Sequence, residues 1–223
     1  MLNKYEIYLL LLCTFGCLTS KAQKKPVIYK RPITWTSERE RLSLEYLLKR
    51  HGVHADTALI IPRMVVVHWT GNMSVNATIK TFDPVRLPGR KDLQTASTLN
   101  VSTQFVIARN GTIYQLLPEN FFARHTIGLN YCAIGIENIG SAKNPLTEAQ
   151  LRSNTKLIKY LRSKYAIEYV IGHHEYQVFT GTIWWKEMNP TYITAKTDPG
   201  DKFMQSLRLR LGLDKQLKIP HLL

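Results

Sequence analysis

The sequence is poor in cysteine. Three occur in 223 residues, and two of them, Cys13 and Cys17, stand near the N-terminus. Cys132 is alone in the body of the chain, which excludes an internal disulfide framework there and leaves stability to a packed core. Cys132 itself reads as a small core residue. Acidic residues are also scarce: 16 Asp and Glu stand against 30 Lys and Arg, a net charge of +14. Such a field draws polyanions. The longest apolar run, Ile7 to Leu18, is too short and too broken for a membrane span of about 20 residues. Internal repeats and low-complexity tracts are absent, so one domain is the economical reading.

What the N-terminus holds instead is the pattern of a signal peptide. Met1 to Lys4 is a short basic region, Ile7 to Leu18 is apolar, and Ser20-Lys21-Ala22 offers small residues at −3 and −1. Cleavage is expected before Gln23. An uncleaved anchor or lipid attachment at Cys17 is the alternative; Gly16 suits the latter, whereas Phe15 and Thr14 do not. Export implies a periplasmic or extracellular setting, and no nucleic-acid-binding motif is recognisable. An anionic wall polymer or the acidic face of an outer membrane is then the natural counterpart of the basic surface. A basic surface that serves only solubility is the plainer alternative. The expected organisation is a signal peptide over 1–22, an extended basic arm over 23–36 and one folded domain over 37–223.

Local signals order the domain. Ser37-Glu38-Arg39-Glu40 reads as a capping box opening a helix that runs to His51 and stops at Gly52, with Leu44, Leu47 and Leu48 on one face. Met64 to Trp69 is β-branched without alternation, a strand buried on both faces. The polar stretch from Asn72 to Leu99 is long for a connection and is expected to form one wall of a groove, with a short helix near Ala77 to Phe82. Asn100 to Ala108 and Thr112 to Leu117 read as strands joined at Asn110-Gly111. Ala133 to Ile139 is a further strand. Thr147 and Gln150 form a second capping box before a helix to Tyr165, with Leu151, Leu157, Tyr160 and Leu161 inward. Tyr169 to Ile171 is a strand, and a last helix is expected from Pro199, with Phe203, Leu207 and Leu211 buried. Alternating strands and helices with one hairpin predict an α/β domain, a central mixed sheet flanked by helices.

Three segments carry the chemistry: His68 at the end of the first central strand, His173 after Gly172, and Asp198 in Lys196-Thr197-Asp198-Pro199-Gly200. Two imidazoles and one carboxylate make a three-ligand zinc site with a fourth position open for water, the catalytic rather than the structural pattern. The residues alone leave plainer readings open. A strand-end histidine can be a satisfied, partly buried side chain, Asp198 can be a helix N-cap, and Lys196 a surface lysine. Glu137 is harder to dismiss, because a bare glutamate ending an apolar strand is costly. His174 should point away from its neighbour, since successive strand side chains alternate. His51, His54 and His221 have no motif around them.

Four blocks in order carry a resemblance: Val65 to Thr70, Asn110 to Leu116, Arg124-His125 through Asn138, and Gly172-His173 with Lys196 to Gly200. Together they resemble the zinc-dependent N-acetylmuramoyl-L-alanine amidases of the amidase-2 family, related to the peptidoglycan-recognition proteins. The match runs from about Pro62 to Phe203. The resemblance implies zinc on His68, His173 and Asp198, with Lys196 stabilising the oxyanion and Glu137 orienting or deprotonating the attacking water. It implies peptidoglycan or muropeptides as substrate, with His125 at the groove rim as a substrate-binding residue; Trp69, Asn130 and Trp184 are the further candidates for substrate binding. The alternative is a peptidoglycan-binding module of the same fold without turnover. Two departures stand out. Thr103-Gln104 occupies a position where many relatives carry a histidine or a tyrosine-histidine pair. The segment from Glu175 to Ala195 is longer than in short relatives, and its Tyr176, Trp184, Trp185 and Tyr192 can face substrate or simply pack.

Overall fold

The structure, a computed structural model, describes residues 25–89, 91–214 and 217. The expected signal peptide, Cys17 and His221 lie outside the described residues. The first strand, β1 (Ile28–Lys30), is followed by helix α1 (Ser37–His51), strand β2 (Met64–Trp69) and helices α2 (Val75–Phe82) and α3 (Lys91–Gln94). Strands β3 (Phe105–Ile107), β4 (Ile113–Gln115) and β5 (Ala133–Asn138) come next. Helix α4 (Glu148–Lys164), strand β6 (Tyr169–Gly172), a 3-10 turn over His173–Phe179 and helix α5 (Asp201–Arg210) complete the order.

The strands form one mixed sheet in the order β1-β4-β3-β5-β2-β6. Strands β3, β5, β2 and β6 are parallel neighbours, and β4 returns antiparallel to β3. The β-branched run of β2 is buried on both faces, because alternate side chains enter two cores. Val65 and Val67 pack with Leu157, Leu161, Met204 and Leu207 of α4 and α5. Met64 and Val66 pack with Leu129, Cys132, Tyr176 and Phe179 on the other face. Cys132 is a buried free thiol in that second core, and burial pushes its pKa up to about 12. That suits a packing role and not a nucleophile.

Helix punctuation follows chemistry that is local in sequence. Thr147 and Gln150 form the expected reciprocal capping box at α4. Gly52 closes α1 in the left-handed region, at φ 61°. Two boundaries and one buried face differ from expectation. Thr36, not Ser37, caps α1, accepting from the Arg39 N–H. The buried stripe of α1 is Leu42, Tyr46 and Leu47, while Leu48 is 44% exposed. The last helix begins at Asp201, with Gly200 before it at φ 87°, which leaves the Asp198 carboxylate free of capping duty.

The hairpin strands are shorter than their sequence suggests. Residues 100–104 lie outside the strands, where the Asn100 N–H donates to the Val85 carbonyl and the Ser102 N–H to the Arg124 carbonyl. Asn100 Nδ2 donates to the Thr81 and Pro84 carbonyls. The arm is also more than an extended tail: Ile28 to Lys30 adds an edge strand parallel to β4.

Candidate metal centre and active site

The register of three parallel strands assembles the site. His68 is the direct partner of Glu137 across β2 and β5. Val67 is the partner of Gly172 across β2 and β6, so the next residue, His173, falls beside His68. Neighbouring strands lie about 4.8 Å apart. Glutamate, histidine and histidine therefore stand in a row along the carboxyl edge of β5, β2 and β6, where the backbone leaves the sheet. A second acid, Asp198, arrives on the loop before α5. His174 N–H donates to the Asp198 carbonyl at 2.9 Å, and the His174 ring meets the same oxygen at 3.0 Å and Asp201 Oδ1 at 2.9 Å. His174 thus points away from the site, as expected, and clamps the main chain that carries Asp198. Gly172 permits the clamp, because a Cβ there would lie 2.6 Å from the His174 ring and 2.9 Å from Pro199.

His68 Nδ1, His173 Nδ1 and Asp198 Oδ2 converge. Their separations are 3.0, 3.2 and 3.4 Å. A tetrahedral zinc with bonds of about 2.0–2.1 Å holds its ligands about 3.3–3.4 Å apart. Two ring nitrogens and a carboxylate oxygen brought this close repel one another unless a proton or a cation lies between them. The donor set and its spacing therefore fit zinc. These are the only three histidine, cysteine or acidic side chains grouped closely enough to hold an ion among the described residues.

Protonation agrees with ligand chemistry, which needs neutral imidazole and charged carboxylate. Burial, helped by the charge of His68, holds His173 down at about 4. Burial opposes ionisation of Asp198, but the hydrogen bond from His173 and the nearness of the His68 ring outweigh it and hold the carboxyl far below its ordinary range. Burial pushes the Glu137 carboxyl up to about 7, with the charge of His68 pulling the other way. Glu137 Oε2 is buried and has no hydrogen-bond partner. A carboxylate in that state is costly to the fold and available to chemistry.

A cleft runs beside the centre, lined by Arg124, His125, Asn130, His173, Tyr192 and Lys196. Leu93 and Val101 form part of its wall, so the long connection after β2 does border a groove. Arg124 fastens that wall by donating to the carbonyls of Leu93, Ser97 and Leu99. His125 is turned inward and meets His68 Nε2 at 3.1 Å. Burial, then the charge of His68, holds its imidazole well below the ordinary histidine range. Asn130 Oδ1 accepts from the His125 and Thr126 N–H groups, and its Nδ2 is buried without a partner.

Two tryptophans lie elsewhere. Trp69 alternates with His68 and opens on the opposite face, in a groove with Leu146, Pro199 and Phe203. Trp184 packs on Tyr169, at the far end of β6 from His173. The long segment after His174 is strapped down rather than held open. Glu187 pairs with Arg50 at 2.7 Å, Arg50 lies over the Tyr192 ring, and Trp185 stacks on Tyr176. Its cleft-facing aromatic is Tyr192.

Gln104, the residue that departs from the relatives' pattern, is fully buried. Its Oε1 accepts from the Gly135 N–H at 2.7 Å and its Nε2 donates to the Phe121 carbonyl at 2.8 Å. It continues the β3–β5 pairing past the end of β3, using a side chain in place of backbone. Both amide ends are occupied, so Gln104 is a brace and leaves the reaction to other groups.

A parallel edge that presents two histidines and a glutamate with one buried, unpartnered oxygen, with an aspartate on the adjoining loop and a cleft alongside, could hold a metal ion and suits hydrolysis. Comparison with known proteins narrows the class. Residues 58–201 match the amidase-2 family, N-acetylmuramoyl-L-alanine amidase, and the chain belongs to that family of amide-cleaving enzymes. The fold is shared with the endolysin amidase LysCS from Clostridium intestinale URNW, at 20% identity over 86% of this chain and 99% of that one, TM-score 0.52. It is shared too with a selenomethionine derivative of AmpD, at 20% identity over 82% of this chain and 94% of that one, TM-score 0.53. No curated protein matches by sequence.

Proposed function

We propose that the chain hydrolyses the amide between N-acetylmuramic acid and L-alanine of peptidoglycan or its muropeptides, with zinc held by His68, His173 and Asp198. One observation carries the reading: two ring nitrogens and one carboxylate oxygen meet within 3.0–3.4 Å next to a glutamate whose Oε2 is buried without a partner. When bound, zinc supplies Lewis acidity and lowers the pKa of a water molecule to about 7. Glu137 takes a proton from the attacking water, and the remaining hydroxyl adds to the lactyl carbonyl carbon. Lys196, in the cleft beside His173, places its ammonium near the oxygen on which negative charge develops. Collapse breaks the carbon–nitrogen bond, and Glu137 returns its proton to the leaving amine. The products are a muramyl carboxylate and a peptide with a free L-alanine amine.

Mass spectrometry of purified peptidoglycan and of soluble muropeptides, after incubation with the zinc-loaded chain, tests the reading. Stem peptides beginning at L-alanine should appear and should vanish with a chelator. Zinc bound without any release would instead identify a binding module of the same fold. Lys196→Ala should retain zinc and lose about 10²-fold in turnover, the cost of one oxyanion partner. Loss of metal in that variant would make the lysine a structural support.

Reading residues 1–22 as a signal peptide places this reaction outside the cytoplasm, and the charge of +14 favours an anionic wall. Fractionation of cells that express the full chain tests the placement; retention in the cytoplasm would refute it.

A further inference from the structure

We propose that His125 is a positioning residue that sets the tautomer of His68 and so directs the His68 Nδ1 lone pair at the metal; this rests on the zinc reading above. The starting point is a backbone carbonyl. His125 Nε2 lies 3.2 Å from the Ala133 oxygen, an atom that can only accept. A neutral imidazole carries one N–H. The carbonyl claims it for Nε2 and leaves His125 Nδ1 as an acceptor. That Nδ1 lies 3.1 Å from His68 Nε2 and 2.9 Å from Thr126 Oγ1. His68 must then carry its proton on Nε2 and donate it, while the Thr126 hydroxyl donates alongside. His68 Nδ1 is left bare, and it is this atom that faces His173 Nδ1 and Asp198 Oδ2. The opposite His125 tautomer would set a ring lone pair against the carbonyl oxygen.

The surroundings are built to hold this ring. Asn130 Oδ1 accepts from the His125 N–H at 2.8 Å and the Thr126 N–H at 2.7 Å, which fixes the backbone that carries it. Gly135 gives the ring room, since a Cβ there would lie 2.9 Å from His125 Cγ and Cδ2. The His125 and His68 rings meet edge to face, with centroids 5.2 Å apart at 89°. Both His125 nitrogens are committed inside the protein, so neither is free to donate to a substrate at the groove rim.

The test uses the full chain and needs no turnover. In protein with nitrogen-15-labelled histidine, NMR of the metal-free chain should show His68 as the Nε2–H tautomer; the Nδ1–H tautomer would overturn the proposal. His125→Phe keeps the ring volume and removes the acceptor. Zinc affinity, read by chelator competition, should fall about 10–100-fold, the range for partners of metal-bound histidines. His125→Gln can accept with its oxygen and donate with its nitrogen, and should restore most of the affinity. Unchanged affinity in His125→Phe, or an equal loss in His125→Gln, would refute the relay. If His125→Phe does not fold, the wild-type tautomer decides. Wild-type protein that binds no zinc would sink the zinc reading instead, and the metal-free tautomer would still report on the relay.

Discussion

Asp198→Ala should bind little zinc and release no stem peptide, while folding as the parent does. The carboxylate is one of three proposed ligands spaced 3.0–3.4 Å apart, and its removal leaves two imidazoles, short of the three protein ligands a catalytic zinc uses. The loss of affinity should exceed the ~10–100-fold typical of groups that only support a ligand. The fold should survive because the loop is held by its backbone: His174 grips the Asp198 carbonyl, which alanine retains. Metal content by elemental analysis, muropeptide release and circular dichroism read the three outcomes separately. Full zinc content with normal turnover would remove Asp198 from the ligand set.

Glu137→Gln should keep zinc and lose about 10²–10⁴-fold in turnover, the range for a general acid–base group. The amide matches the carboxylate in size but cannot take a proton from water. Glu137 forms no hydrogen bond through its buried Oε2, so the fold gains nothing from the charge there. Thermal stability of the glutamine variant should be equal to or above that of the parent, since a buried carboxylate without a partner costs free energy. Higher stability with lost activity is the signature of a group retained for chemistry. Near-normal turnover would pass the proton-transfer role to another group. A drop in stability with full activity would make Glu137 a structural residue.

The two variants separate the jobs that the strand register assigns to adjacent positions. His68 and Glu137 are direct partners across β2 and β5, yet the proposed roles differ, metal binding for one and proton exchange for the other. The difference lies in what flanks them. His68 has His173 and Asp198 at hydrogen-bond distance on one side and His125 on the other. Glu137 Oε2 has burial and no partner.

Much of the architecture was legible because its signals are local. A capping box is complete within four residues, and Thr147 with Gln150 forms one. Gly52 stops a helix through its own φ. The unalternating Met64-to-Val67 run announced a strand covered on both faces, and two cores cover it. The three residues that could hold a metal were legible for another reason: few residue types offer a lone pair to a metal, and these stood at strand ends and beside a helix start. Where several polar residues compete for one local role, sequence misled. Thr36 and Ser37 are both able caps, and only the backbone geometry chose Thr36.

What the sequence determined by itself was most of the inventory: the main strands and helices, their order, the single domain and the residue types able to hold a metal and move protons. Which of these meet was decided by strand register and loop path, quantities spread over more than a hundred residues of chain. The β6–β2–β5 register sets His173, His68 and Glu137 in one row, and it sends Trp69 to the opposite face. Gln104 looked like a gap in a catalytic pattern and proves to be a brace. His125 looked like a rim residue; it lines the cleft and also meets His68 Nε2, a contact the sequence did not announce. A side chain's chemistry is written in its own residue, but its direction depends on which backbone its strand pairs with, and only the folded sheet supplies that.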